Sequence, residues 1–266
     1  DNDLQPICMG EFWWGAAPVK EVRKHGYFYP SCASRCRPIL GHMLQGLEVE
    51  DNPLLILGQD KPMPIVYEDE DLVVVDKPAG LLSVPGVEIE DSALSRIKNK
   101  YPNATGAILL HRLDMSTSGL LMFTLNAKAN KRMQRQFIKR QVEKTYVAEV
   151  TGEVKADGGS IDLPLAPDYF DLPRQMVCFE NGKPSETKWK VLDRKDGKTR
   201  LALKPVTGRT HQLRVHCAHP NGLGLPMVGD ELYGIIGERL HLHAHELVFE
   251  HPTSKKRITL TAPIPF

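Results

Sequence analysis

The residues best suited to chemistry lie in three short segments. The first, His111-Arg112-Leu113-Asp114-Met115-Ser116-Thr117-Ser118-Gly119-Leu120, sets an arginine two residues before a carboxylate. Small hydroxyl residues and a glycine follow, just ahead of an apolar run. A polar loop pinned to a rigid strand is a common seat for catalytic groups. The competing reading is a solvated turn in which Asp114 accepts from nearby backbone N–H groups. On physics alone the turn is favoured. The second segment is Lys144-Thr145-Tyr146, at the start of a strand, where a tyrosine is ordinarily a core or interface residue. The third is Gly208-Arg209-Thr210-His211-Gln212-Leu213-Arg214-Val215-His216, with two arginines and two histidines in eight residues. An arginine can clamp a carboxylate through paired hydrogen bonds and keep it ionised. The alternative is a surface helix start with solvated charges.

These segments need elements to hold them. Strand signals at 65–67 and 72–75 flank an acidic turn, which predicts a hairpin. Lys77-Pro78-Ala79-Gly80 then stops the second strand. Asp91 is the expected cap of a short helix with Leu94, Ile97 and Tyr101 on its apolar positions. The run 119–125 reads as a buried strand. Asn126 is a cap for the next helix, in which Ala129, Met133 and Phe137 recur every four residues and face the core. Further strands are expected at 145–150, 187–192, 200–204, 240–249 and 257–261. Asp196-Gly197 is the turn between the third-last and fourth-last of these. Many short strands with few helices predict an α+β fold on a mixed, largely antiparallel sheet.

The three segments together resemble the signature motifs of the RluA-type RNA pseudouridine synthases: HRLDxxTSG, K-x-Y and GRTHQLRVH. The resemblance extends to residues 76–86, to Asp162-Leu163-Pro164-Leu165, Pro173-Arg174 and Gly182-Lys183-Pro184, and to His243-Ala244, His251-Pro252 and Ala262-Pro263. It covers residues 64–266. Within the family, residues 81–86 and 168–187 look closest to the RluA subgroup, whose enzymes modify both ribosomal and transfer RNA. The resemblance implies the pseudouridine synthase fold with flanking helices and a central active-site cleft. It implies isomerisation of uridines in structured RNA, with no cofactor and no metal. By the same resemblance Asp114 is the nucleophile or ion-stabilising carboxylate, and Arg209 pairs with it. Tyr146 packs on the uracil and is a candidate base toward a sugar proton, a role for which a phenol needs a perturbing partner. The target base must leave its stack, and Arg112 is the residue that fills the gap. Lys144, Leu213 and His111 complete the substrate side. Monomers are the usual form of the family.

Composition sets bounds on this reading. The net charge of +1 is low for a general nucleic-acid binder. The charge is uneven, however: residues 128–144 hold seven bases and one acid, Glu143, a candidate RNA track or else a solvated helix face. A hydrolase of glycosides or nucleosides would need a second catalytic carboxylate, which the three segments lack. A binding module without catalysis should lack Asp114, Tyr146 or Arg209, and all three are present. No secretory signal is visible, and five cysteines do not make a disulfide scaffold, so a reducing cytoplasm is expected. Residues 1–60 read as an extension, the end of a longer N-terminal region, and residues 61–266 as the catalytic domain. Within the extension, Cys32 and Cys36 with His25, His42 and Cys8 could bind zinc. Their loose spacing favours reduced cysteines packed among aromatics, and no metal is assigned. The alternating His241, His243 and His245 are read as structural.

Overall fold

Alternation along two strands decides the architecture. In the computed structural model, which describes residues 61–86, 89–106 and 108–266 together with the short strands β1 (Glu11–Phe12) and β2 (Phe28–Tyr29), β4 (Leu72–Lys77) and β5 (Ser118–Thr124) are buried along almost their whole length. Val73, Val75, Leu121 and Phe123 face one core, and Leu72, Val74, Leu120 and Met122 face a second on the other side of the sheet. Each such side chain contributes about 1.5–3 kcal/mol when fully buried. The zinc candidates Cys8, His25, Cys32, Cys36 and His42 lie outside the described residues. Cys178 and Cys217 are free thiols.

The chain divides into two compact units. One comprises residues 1–52 with 167–174; the other, residues 53–166 with 175–266, carries the main sheet. In the first unit, β1 and β2 form a two-residue antiparallel ladder. The second unit begins with β3 (Ile65–Glu68), joined to β4 by a turn in which Asp69 Oδ1 accepts from the N–H groups of Asp71 and Leu72, both at 2.8 Å. Helix α1 (Ala93–Lys100) packs Ala93 and Ile97 into the first core. Its cap is Ser92 rather than the expected Asp91. Ser92 and Ser95 exchange side chain to backbone bonds in a capping box, while Asp91 is taken by Arg96 at 2.6 Å. Helix α2 (Ala127–Ile138) is capped by Asn126, as its sequence predicts, and buries Met133 in the second core with Phe137 packed against it.

The remaining strands are β6 (Glu143–Thr151), β7 (Gly158–Asp162), β8 (Leu165–Pro167), β9 (Gln175–Val177), β10 (Glu186–Lys195), β11 (Lys198–Pro205), β12 (Leu242–Glu250) and β13 (Arg257–Thr261), with helix α3 (Gln212–Ala218) after β11. The main sheet runs β3-β4-β5-β12-β6-β11-β10-β7, and β13 pairs with β12. Every pairing within it is antiparallel except β5 with β12, which is parallel. Asp196 and Gly197 turn β10 into β11 with φ of 53° and 69°, as a two-residue hairpin requires. Gly119 lies on the β5–β12 seam with φ of 111°. A Cβ built there would stand 2.4 Å from the carbonyl oxygen of Ala244, so only glycine lets the two strands meet. Among the described residues, no helix is long and apolar enough to cross a membrane.

Candidate active site

Asp114 lies four residues ahead of that seam, in a loop whose neighbours are fastened one by one. Leu113 is held through Ser83, whose Oγ accepts from its N–H at 3.0 Å and donates to its carbonyl at 2.6 Å. Met115 O accepts from Gly80 N–H at 2.9 Å and from Lys77 Nζ at 3.1 Å. Ser116 Oγ donates to Glu231 at 2.7 Å. Ser118 Oγ accepts from Arg239 at 2.6 Å and lies 2.9 Å from His243 Nδ1. Thr117 N–H closes a turn onto Asp114 O at 3.1 Å. Among the described residues, no hydrogen bond or ion pair reaches the Asp114 carboxylate itself. The backbone is fixed and the carboxylate is left available, the arrangement that preorganised reacting groups need.

Charges without contact surround it. Lys77 is fully buried, continuing the face of Val73 and Val75, and its ammonium donates to the carbonyls of Pro78, Leu81 and Met115. Burial pulls its pKa down to about 7, against the opposing pull of Asp114. Arg214, on α3, is 2% exposed and grips Asp230 through Nε at 2.9 Å and Nη2 at 2.5 Å, with Glu231 at 3.1 Å. These acids, with Asp114, outweigh its burial and raise its pKa further. His211 lies within 2.9 Å of the Tyr233 hydroxyl through Nδ1. Burial lowers its pKa, and the charge of Asp114 resists this. Tyr146, on β6, is buried, and both that burial and the nearby Asp114 push its phenol well above the usual range. The perturbing partner that a phenolate base would need is therefore not supplied; the surroundings hold Tyr146 protonated.

Seven residues singled out in the sequence, His111, Arg112, Asp114, Lys144, Tyr146, Arg209 and Leu213, line one cleft of about 970 Å³. Arg112 is exposed and Leu213 is buried. His111 stacks on Phe137 with ring centroids 5.3 Å apart, and Met122 N–H donates to its Nε2 at 3.2 Å. Burial, then Lys144, depress its pKa to about 3. Lys144 lies 5.9 Å over the other end of this stack, the Phe137 ring, and burial lowers its pKa too.

The expected ion pair between Arg209 and Asp114 is not formed. Arg209 is exposed, and its Nε donates to Pro184 O at 3.3 Å. The reason lies in the turn before α3. Gln212 Oε1 accepts from Arg209 N–H at 3.0 Å and from Thr207 Oγ1 at 2.8 Å, which fastens this turn at the end of β11. His211, at φ 52°, then swings the chain into a helix whose residues Gln212, Leu213, Arg214, Val215, His216 and Cys217 are all buried. Arg214 is thus the inward arginine of the segment. The motif contained it, but a short buried helix gives no amphipathic period by which to choose it. The sequence marks Lys77 as a strand stop and as part of the resembling segment 76–86, not as a member of the site. The three alternating histidines have separate protein partners: Glu149 for His241, Ser118 for His243 and Ala262 O for His245.

Seven cations and two acids line the cleft, so the positive charge that the whole-chain total conceals is concentrated here. The sequence model of the family described as RNA pseudouridylate synthase matches residues 71–219. The chain belongs to the RNA pseudouridylate synthase family. Among curated relatives, the dual-specificity RNA pseudouridine synthase RluA of Pasteurella multocida is 44% identical over 215 residues, 78% of this chain and 95% of that one. The Escherichia coli K12 protein of the same name is 42% identical over 216 residues, 78% and 96% of the two chains. Among solved structures, human RNA pseudouridylate synthase domain containing 1 superposes with a TM-score of 0.63 at 30% identity, covering 82% of this chain and 87% of that one. The protein is therefore a pseudouridine synthase, an isomerase of RNA uridines on the α+β fold its sequence predicts.

Proposed function

We propose that this pseudouridine synthase isomerises specific uridines in structured ribosomal RNA, transfer RNA or both, with Asp114 as nucleophile toward a nucleotide flipped out of its stack. The observation that carries this reading is the Asp114 carboxylate, unpaired on a fully fastened loop inside a cationic cleft. The relatives named as dual-specificity enzymes support both RNA classes. In the reaction the bond from sugar C1′ to uracil N1 breaks, the base turns, and C1′ bonds to C5. The proton on C5 is lost and N1 gains one, so no oxidant or reductant is consumed. A carboxylate suits capture of an electron-poor sugar carbon. Arg214 and Lys77 supply positive potential behind it without neutralising it by contact. Tyr146 packs against the uracil with its phenol protonated. Arg112, exposed on the same loop, occupies the gap that the flipped base leaves, since a guanidinium stacks on bases and donates to phosphate. His111, Lys144 and Leu213 shape the substrate wall. Arg209, on the rim, meets the RNA backbone.

A pseudouridine map of total RNA from cells lacking the gene tests this, with wild type or Asp114→Ala restored. One or more sites should vanish and return only with wild type. A site restored by Asp114→Ala would remove the nucleophile, and an unchanged map would remove the assignment to cellular ribosomal and transfer RNA.

A further inference from the structure

One wall of the cleft contains a pair of cations that the three motifs do not include. Lys188 on β10 and Lys204 on β11 are direct partners across the ladder, so both side chains leave the same face of the sheet. Both are exposed and both line the cleft that holds Asp114. Like charges placed opposite each other destabilise an antiparallel ladder, so the pair is a liability to the fold unless something anionic lies between or over it. Among the described residues, neither ammonium has an acidic partner within 4.0 Å. The nearest acid along the same face of β10, Glu186, interacts instead with Ser160 Oγ, at 3.5 Å. Arg140 and Lys144 line the same cleft, and the acid between them in sequence, Glu143, is engaged by Arg257.

We propose that Lys188 and Lys204 form a phosphate-tracking site for the RNA strand that flanks the target uridine. This rests on the function proposed above and adds a path for the backbone to it: a strand delivering a nucleotide to Asp114 passes over the β10–β11 ladder. Exposed lysines hold a single small anion weakly. A chain of phosphodiesters meets both ammoniums at once and gains by releasing counterions from each neutralised phosphate. The site binds and guides; it does not touch the reacting atoms.

The test uses the intact enzyme and, as probe, RNA from cells lacking the gene, in which the target is unmodified. The variants are Lys188→Ser, Lys204→Ser and the double variant. Lys190→Ser is the control: it lies two residues along the same face of β10, opposite Ala202, and does not line the cleft. The double variant should raise the apparent KM about tenfold with kcat at saturating RNA unchanged. It should also flatten the slope of log Kd against log salt by roughly 1.4, about 0.7 for each single-strand phosphate lost. Lys190→Ser should change neither. A double variant with wild-type KM and salt slope overturns the proposal, and so does an equal effect from Lys190→Ser, which would mark mere surface charge. If wild type forms no pseudouridine in this RNA, the functional reading fails, while the binding slope still decides the lysine pair.

Discussion

Arg209 and Arg214 stand five residues apart in one motif and occupy opposite settings. Arg214 lies under the cleft, with its guanidinium divided between Asp230 and Glu231. Arg209 stands on the rim, exposed, with a backbone carbonyl as its partner. The contrast extends to the whole site. Near Asp114, two cations are buried and engaged: Lys77 by three carbonyls, Arg214 by Asp230 and Glu231. Around the mouth, Arg112, Arg209, Lys188 and Lys204 are exposed. A buried charge must be satisfied by the protein because water is absent, and once satisfied it acts only through its field. An exposed charge is nearly free to keep and remains open to a ligand. In the function proposed above, the buried cations act on the site through their field and the exposed ones are open to RNA.

Breaking the buried set should have the largest effect. Arg214→Leu leaves Asp230, itself fully buried, without its cation, and a broken buried pair costs about 3–5 kcal/mol. Thermal unfolding should fall by many degrees and activity should vanish with it. Arg209→Leu should leave the unfolding free energy within about 0.5 kcal/mol of wild type, as surface substitutions do. It should weaken RNA binding while the rate at saturating RNA persists. An Arg209→Leu variant that binds RNA normally but has lost its rate would place the rim arginine at the reacting centre and collapse the distinction.

Lys77 sharpens the same contrast through pH. Its folded pKa is about 7, against 10.5 for the unfolded chain. Between those values the unfolded state binds more protons, so stability rises as pH climbs from 7 toward 10.5. Urea unfolding of wild type across this window should show the rise, and Lys77→Met should flatten it. A slope unaltered in Lys77→Met would mean that the ammonium is solvated after all. His111, at the cleft wall, gives a smaller effect at the other end of the scale, because it is only half-buried. Its folded value of about 3 lies below the unfolded 6.5, so stability is lost as pH falls from 6.5 toward 3. His111→Asn should make that acid limb shallower.

What the sequence revealed follows from how each residue's constraint is written. The β5 run, the Asn126 cap with Ala129 and Met133, and the Asp196-Gly197 turn are local signals, and each appears where its pattern places it. The Asp91 cap fails because Ser92 has a second serine three residues on, which makes a reciprocal box available. The motif residues converge on one cleft, but their pairing is another matter. Arg209 and Arg214 are identical in composition and differ only in what α3 packs against. The Lys188–Lys204 pair depends on the register between two strands, which no single stretch of sequence states.

The β5–β12 seam also dictates an order of assembly. It joins Ser118 and Gly119 to His243 and Ala244, more than 120 positions away along the chain, and pairings so distant form late. Arg239 and His243, which fasten Ser118, arrive with the same segment. Because synthesis proceeds from the N-terminus, a growing chain acquires its carboxylate at residue 114 long before it acquires the strand that closes the sheet beside it. The strand that completes the sheet beside the carboxylate is thus made more than 120 residues after the segment it pairs with, and the catalytic loop takes its final fastening only when that strand docks.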